Sequence, residues 1–527
     1  MAPDTALSVS VRLNGAPVEL PIDATLLDAL RETTLCHSVK DGCSPQGQCG
    51  CCTVLIDGQA RVACVTPVRR VAGREITTLE GVEPDLLNRI VAAFEATAAA
   101  QCGFCTPGIV SRLVGLSRKG VPNEKAVRTA LGAHLCRCTG FQPIVEAALI
   151  ALDPEAVLPK ARDPEQARLR ATLESGVTQV SSSDVVTGIF SFAADDHDGA
   201  VIAYATADGG YSLGSSVSDA RGKAIKRQGR NSTVALRAPL AIPDLEDAKV
   251  LLATCFVEPA YLEPDASFAE PDSLPTPPFT NAGAFGAKRH STICGDVCAL
   301  VDEQACGVLA IWPREEVVRR GAKRPPLSLA LRGDGSGIVH VGLTPKSDDL
   351  EPLLAQARET FPSIRFETVA IPGPRVGSSH RGALIGEVLA ARCVAQHRDG
   401  DAFSVTLDNG ASASVTLVDG ALTVSVQAGE PLCPITLRSY VIGAVHQAYS
   451  QVTTEGLAVD SDGVIHDLTI RSFGITTAMQ TPPISVTIEP SAKEAVPVGM
   501  AVFAATLAAV WFDEGVAKHW PTRREVQ

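Results

Sequence analysis

Three observations predict an α+β protein built from several domains. The chain has 527 residues, which is more than one hydrophobic core usually organises, so three or more domains are expected. Its first 140 residues contain two groups of four cysteines; short alternating strand patterns surround the first group and helical spacing surrounds the second. From about residue 170 the sequence is rich in strand patterns punctuated by glycine, with few long helices before the C-terminus.

Composition and charge narrow the class of protein. Hydrophobic residues make up 45% of the chain and charged residues 20%, which is ordinary for a globular protein. The net charge of −13 argues against nucleic acid and anionic membranes as partners, and no apolar run has the length of a transmembrane helix. The first residues lack the pattern of an export signal, so we expect a cytoplasmic protein. Sixteen cysteines in such a chain indicate metal binding more than disulfides.

The first cysteine group consists of Cys43, Cys49, Cys52 and Cys64. Its spacing, with five, two and eleven residues between successive members, nearly matches the plant-type ferredoxin pattern for a [2Fe–2S] cluster. That pattern has one residue fewer between the first two ligands. Because the step from Cys49 to Cys52 keeps the normal spacing, we assign Cys52 as a ligand and its neighbour Cys51 as a bystander. A zinc site or free thiols form the less favoured alternative.

Strand patterns around this group follow the order expected of a β-grasp ferredoxin domain over residues 5–83. The predicted elements are a strand over 7–13, a hairpin turn at Asn14-Gly15, a strand near 18–20, a helix over 25–32 with Asp23 as its cap, and a hairpin of strands 53–56 and 59–64. The last strand should bring Cys64 back beside Cys52. The glycine-rich loop 41–52 should wrap a cluster and aim backbone N–H groups at its sulfurs.

The second group consists of Cys102, Cys105, Cys136 and Cys138, in a four-helix domain predicted over residues 84–155. The helices are expected over 86–96, from Pro107 onward, after Asn123 as a cap, and over 144–151. Two helical hairpins would each present two thiols at their inner ends. By spacing alone zinc remains an alternative for this set. A linker is predicted over 153–164.

The residues between these cysteines carry a family resemblance. The segments QCGFCTPG (101–108) and LCRCTGF (135–141) closely resemble the helical [2Fe–2S] domain of the xanthine dehydrogenase and aldehyde oxidoreductase family of molybdenum hydroxylases, and the match covers about residues 5–153. The resemblance implies two [2Fe–2S] clusters, one in each cysteine group. It also implies that Gln101 contacts the molybdopterin of a partner chain. Electrons would pass from molybdenum through the helical cluster, then the ferredoxin-type cluster, to FAD.

Residues 170–527 resemble the molybdopterin-binding large subunit of the same family, in modest matches that keep the family order. The matching segments are 256–264, 281–288, 312–316, 323–326, 437–443 and 463–484. Alanine stands at Ala282 and Ala287, where the family has glycine close to the cofactor, and the interval 320–430 is shorter than in the family. An arginine-glycine motif survives only as Arg381-Gly382, and no glutamate follows Gly499, where the family carries its general base. These departures imply an α/β molybdopterin-subunit-like region that contains no catalytic residue.

Three functions follow, in order of preference. The first is an electron-transfer subunit of a molybdenum hydroxylase, with residues 170–527 as a scaffold. Its partners would be a molybdopterin-binding large subunit and an FAD-binding medium subunit, for example in a dimer of heterotrimers. The second is a self-contained hydroxylase that binds molybdopterin in residues 170–527. The third, a ferredoxin fused to a binding module, leaves the large-subunit resemblance unexplained.

Overall fold

The structure is a computed structural model that describes residues 7–195, 199–224, 234–278, 281, 288–289, 291–378 and 380–527. Ala282 and Ala287, on which part of the sequence argument rests, lie outside the described residues. Within the described ranges, none of the helices combines the length and the apolar character needed to cross a bilayer.

A five-stranded mixed sheet with one helix forms the first part. Its elements are β1 (Ser8–Leu13), β2 (Ala16–Pro21), α1 (Leu26–Thr33), β3 (Thr53–Ile56), β4 (Gln59–Val62) and β5 (Glu75–Thr77), in the strand order β2-β1-β5-β3-β4. The alternation along β1 buries Val11 and Leu13. Helix α1 is capped by Thr25, whose hydroxyl accepts a hydrogen bond from the N–H of Asp28. The prediction of Asp23 as the cap is therefore wrong, because Asp23 precedes the cap position by two residues.

Four helices form the second part. They are α2 (Pro84–Thr97), α3 (Thr106–Ser117), α4 (Glu124–Leu131) and α5 (Gln142–Ala151). Pro107 lies in the first turn of α3, and Asn123 caps α4 by accepting from the N–H of Ala126 at 2.9 Å, both as predicted. Helix α3 packs on β3 of the first part. A Cβ on Gly108 of α3 would lie 2.3 Å from the carbonyl oxygen of Gly50, so this close approach requires glycine.

The rest of the described chain contains three further sheets and the longest helices. Its elements are α6 (Pro164–Ser175), α7 (Ser183–Thr187), β6 (Val201–Ala205), β7 (Tyr211–Gly214), α8 (Val217–Lys223), β8 (Val250–Thr254), β9 (Asp265–Ala269), α9 (Ile293–Gln304), β10 (Val308–Trp312), α10 (Arg314–Arg320), β11 (Leu327–Leu331), β12 (Gly337–Leu343), α11 (Glu351–Thr360), β13 (Ile364–Ala370), α12 (Ile385–Gln396), β14 (Phe403–Thr406), β15 (Ser412–Val418), β16 (Ala421–Gln427), α13 (Pro434–Thr453), β17 (Ile484–Ile488), α14 (Gly499–Asp513) and β18 (His519–Trp520). The strand orders are β7-β6-β10-β9, β13-β12-β11-β8-β18 and β14-β15-β16-β17. Residue 170, the predicted start of the third region, lies inside α6, which packs on α13.

One continuous buried core joins these parts. It runs from the first sheet through the four helices into α12, α13 and α14. Helix α14 is apolar on nearly every side, and it is buried over most of its length, as that composition requires. The cysteines of both groups belong to this core, except that Cys102 is partly buried and packs against it.

Candidate metal centres

The four cysteines of the first group meet between the loop before β3 and the turn after β4. Each side chain is at most 3% exposed. The sulfur of Cys43 contacts those of Cys49 and Cys64, and Cys64 in turn contacts Cys52. The N–H of Cys64 points to the sulfur of Cys52 at 3.4 Å, and the N–H of Gln46 points to the sulfur of Cys43 at 3.3 Å. The hairpin thus brings Cys64 beside Cys52; the roles of the four residues as ligands stay a prediction.

The loop that carries this group is shaped by its small residues. Gly47 and Gly50 have φ angles of 70° and 81°, in the left-handed region that glycine adopts without steric cost. A Cβ on Gly42 would lie 3.1 Å from the sulfur of Cys51 and 3.2 Å from that of Cys49. The loop therefore closes tightly around the sulfur atoms.

Cys51 places a fifth buried thiol in this loop. Its sulfur contacts that of Cys49, whereas the sulfur of Cys52 contacts that of Cys64. Of these two neighbouring thiols, Cys52 is therefore the one in contact with Cys64, the distant member of the group. This difference supports the assignment of Cys52, and not Cys51, as the ligand.

The second group forms two thiol pairs, each joining the α3 end of the site to the segment before α5. The sulfurs of Cys102 and Cys138 are 3.6 Å apart, and Cys105 contacts Cys136. Three of these side chains are at most 6% exposed, and Cys102 is half-buried. The Cys105 thiol and the Thr139 hydroxyl, 3.1 Å away, hold the pKa of Cys136 below its ordinary value and favour its thiolate.

The two cysteine groups are the candidate sites for the two [2Fe–2S] clusters. The first group supplies a connected row of four buried thiols, and the second supplies two thiol pairs, of which one member, Cys102, is half-buried. Four thiols are the ligand set of such a cluster. All sixteen cysteines lie in the described ranges, and none of them is in a disulfide. Across the same ranges, no three His, Cys, Asp or Glu side chains are arranged to hold a single metal ion. A bound [2Fe–2S] cluster supplies reversible one-electron chemistry.

One hydrogen bond links the two groups directly. The N–H of Leu135, the residue before Cys136, donates to the carbonyl oxygen of Cys49 at 3.0 Å. Beside it, Nε2 of His134 lies 3.1 Å from the hydroxyl of Thr53 and 3.2 Å from a carbonyl oxygen of α3. Burial lowers the pKa of His134 to about 3, so its imidazole is neutral. These contacts were not predicted, because the local pattern of residues does not show which distant elements His134 and Leu135 pack against.

The amide of Gln101 faces the C-terminal part of the same chain. Its Nε2 donates to the carbonyl oxygen and the hydroxyl of Ser439 on α13, at 3.1 and 3.0 Å. Asn281 donates to the carbonyl oxygen of Cys102 at 3.3 Å. Gln101 is only 8% exposed, and its predicted contact with the molybdopterin of a partner chain stays a prediction.

A buried ion pair anchors the second group to the C-terminal part. Arg137, between Cys136 and Cys138, binds both carboxylate oxygens of Glu455, with Nη2 and Oε2 2.7 Å apart. Its Nε donates to the carbonyl oxygen of Pro259 at 3.0 Å. Both charged side chains are 2% exposed. This pair was not predicted, because its members are 318 residues apart.

A carboxylate from elsewhere in the chain lies at Gly499, where the sequence has no glutamate. Glu174 of α6 accepts hydrogen bonds from the N–H groups of Val498 and Gly499, both at 3.2 Å, and lies 3.2 Å from Arg170. Burial raises the pKa of Glu174, and the guanidinium groups of Arg170 and Arg381 oppose that rise. Glu174 thus caps α14, which has no side-chain cap of its own. A cavity of about 530 Å³ opens beside Glu174, Arg381 and Gly499.

Comparisons with known proteins agree with this geometry. Residues 78–149 match the model of the [2Fe-2S] binding domain family. The xanthine dehydrogenase iron-sulfur-binding subunit of Escherichia coli O157:H7 is 40% identical over 151 residues, which are 27% of this chain and 92% of that subunit. The aldehyde oxidoreductase of Megalodesulfovibrio gigas is 37% identical over 198 residues, which are 35% of this chain and 21% of that protein, so the match spans about a fifth of its length.

The fold resembles a solved structure over nearly the whole chain. The aldehyde oxidoreductase from Desulfovibrio desulfuricans ATCC 27774 superimposes with a TM-score of 0.73, over 98% of this chain and 99% of that one. At 15% sequence identity this likeness concerns the fold alone. The N-terminal matches, by contrast, extend to the sequence and to nearly all of a small iron–sulfur subunit. The chain therefore belongs to the xanthine dehydrogenase and aldehyde oxidoreductase family of iron–sulfur oxidoreductases.

Proposed function

We propose that this chain is the electron-transfer subunit of a cytoplasmic molybdenum hydroxylase complex. One [2Fe–2S] cluster would be held by Cys102, Cys105, Cys136 and Cys138, and the other by Cys43, Cys49, Cys52 and Cys64. The chain would relay electrons from the molybdopterin of a large subunit to the FAD of a medium subunit or to another acceptor. Residues 170–527 would serve as a scaffold for this assembly.

The observation that carries the proposal is the direct connection between the two cysteine groups. The hydrogen bond from Leu135 to Cys49 joins residues at or beside a predicted ligand of each cluster. Gly108 permits the helical part to pack on the backbone of Gly50 and Cys51, and both sites lie in or against one continuous hydrophobic core. Such enclosure and backbone hydrogen bonding are the features by which a protein tunes cluster potentials.

Two contacts support a scaffold role for the C-terminal part. Both oxygens of Glu174 are bound to the N-terminus of α14, and one also pairs with Arg170, so this carboxylate is committed to holding the helix. The amide of Gln101 is likewise bound to Ser439 of α13. These bonds stabilise the packing of α6, α13 and α14 around the helical cluster site.

Iron analysis tests the cluster assignment. We expect about four iron atoms and four acid-labile sulfides per chain, as two [2Fe–2S] centres with distinct spectra in the reduced protein. Elemental analysis and electron paramagnetic resonance of anaerobically purified protein measure these quantities. Stoichiometric zinc with little iron would contradict the assignment.

A self-contained molybdopterin-binding hydroxylase is the second candidate. The cavity of about 530 Å³ beside Arg381 and Gly499 favours it, since this part of the chain resembles the family's large subunit. Molybdenum and pterin analysis separates the two candidates. We expect the chain purified alone to contain no stoichiometric molybdenum, and the metal to appear only with a co-purifying large subunit. One molybdenum per isolated chain, together with substrate hydroxylation, would favour the second candidate.

A further inference from the structure

A cleft of about 830 Å³ lies between the β3–β4 hairpin and helices α3 and α4. Its volume is in the range typical of small-molecule sites. Its floor is small and apolar, and its rim is cationic. The floor contains Ala60, Gly115, Leu116, Ala126 and Ala130, and the cations are Arg61, Arg112, Arg118, Lys119 and Lys125.

The five cations have no carboxylate partner among the described residues. Asp57, the one carboxylate in the lining, accepts a hydrogen bond from Arg74 at 2.7 Å, outside the cleft. Glu124, at the start of α4, pairs instead with Arg128 at 2.7 Å. The whole chain carries 59 acidic and 46 basic residues, so its net charge is negative, whereas the local charge of this cluster is positive. The cleft therefore presents a local positive potential.

Two of the cations form hydrogen bonds within the chain. Nε of Arg112 donates to the carbonyl oxygen of Ala130 at 3.0 Å. Arg61 donates to the side-chain oxygen of Gln59 at 2.9 Å. The guanidinium of Arg118 lies beside the hairpin turn, where a Cβ on Gly58 would be 2.4 Å from its Nη1. Burial, and then the nearby cation of Arg61, lower the pKa of Arg112, so a bound anion would relieve repulsion between the two groups.

We propose that this cleft binds a phosphate-bearing ligand of nucleotide size. Its phosphates would lie among the arginine and lysine side chains, which bind phosphate oxygens through charge-assisted hydrogen bonds. Its ring would lie on the floor formed by Leu116 and the neighbouring alanines, where apolar surface is removed from water. The proposal does not depend on the electron-transfer function, since it rests on the charge and shape of the cleft.

Titration of ADP and of pyrophosphate into the full chain by calorimetry tests this proposal. We expect saturable binding of ADP at one site, weakening as salt is added, because the contacts are between charges. ADP should bind more tightly than pyrophosphate, because only ADP has a ring to bury. No saturable ADP binding would overturn the proposal and leave an acidic protein surface as the partner for the cations. Equal affinity for the two probes would overturn the assignment of the floor.

A pair of matched variants locates the binding. Lys119 and Lys125 are exposed, so the double variant K119E/K125E should fold and keep its iron. It should bind ADP about tenfold more weakly or worse, which corresponds to the loss of two attractive charges and the gain of two repulsive ones. The control K346E/K493E makes the same charge change at two exposed lysines outside the cleft and should retain ADP affinity. Equal weakening in both variants, or no weakening in the first, would overturn the proposal.

Discussion

Replacement of Cys52 by serine should erase the signal of the ferredoxin-type cluster, whereas replacement of Cys51 by serine should leave both cluster signals intact. The sulfur of Cys52 contacts that of Cys64 and lies 3.4 Å from the N–H of Cys64, so it lies next to the member of the group that is most distant along the chain. The sulfur of Cys51 contacts that of Cys49 instead. Electron paramagnetic resonance of the reduced variants measures both signals.

A third variant provides the control for this comparison. Cys36 is also buried, at 6% exposure, but it lies outside both cysteine groups, so Cys36→Ser should retain both signals. A lost signal in Cys51→Ser and a retained one in Cys52→Ser would contradict the ligand assignment. In the loop between Cys43 and Cys49, which is one residue longer than the plant-type pattern, Ser44 adopts a φ of 57° and donates its N–H to Asp41 at 2.9 Å.

Replacement of Glu455 by alanine should destabilise the protein by about 3–5 kcal/mol, because it leaves the charge of Arg137 buried and unpaired. Arg137 stands between Cys136 and Cys138, so the same change should also weaken or broaden the signal of the helical cluster. Chemical denaturation followed by circular dichroism measures the free energy of unfolding, and electron paramagnetic resonance reports on the cluster.

A second ion pair across the same boundary is a matched control. Arg438 of α13 pairs with Glu146 of α5 at 2.7 Å, with side chains 32% and 33% exposed. Glu146→Ala should cost about 0–1 kcal/mol, because solvent screens this pair and hydrates the charge that remains. Equal costs for the two alanine variants would show that the burial of Arg137 and Glu455 does not govern the contribution of their pair.

Local sequence patterns were sufficient to predict most of the secondary structure of the N-terminal part. The alternation of β1, the hairpin β3–β4, the proline in the first turn of α3 and the cap of α4 follow from residue spacing and turn chemistry within short stretches. The contact between the thiols of Cys52 and Cys64 was also predicted, because Cys52 precedes the hairpin β3–β4 and Cys64 follows it, and a tight hairpin brings its two ends together. The cap of α1 was misplaced at Asp23 because two acceptor side chains, Asp23 and Thr25, precede that helix within three residues.

The amino-acid pattern thus identified the fold of the first two parts, the two cysteine groups and the family. Tertiary structure alone showed that Glu174 caps α14 at Gly499, that Arg137 pairs with Glu455, and that five cations meet in one cleft. The physical reason is the sequence separation over which each kind of pattern is informative. Periodicity and capping report the conformation of neighbouring residues, whereas a contact between residues 318 or 325 positions apart depends on how separately formed elements pack.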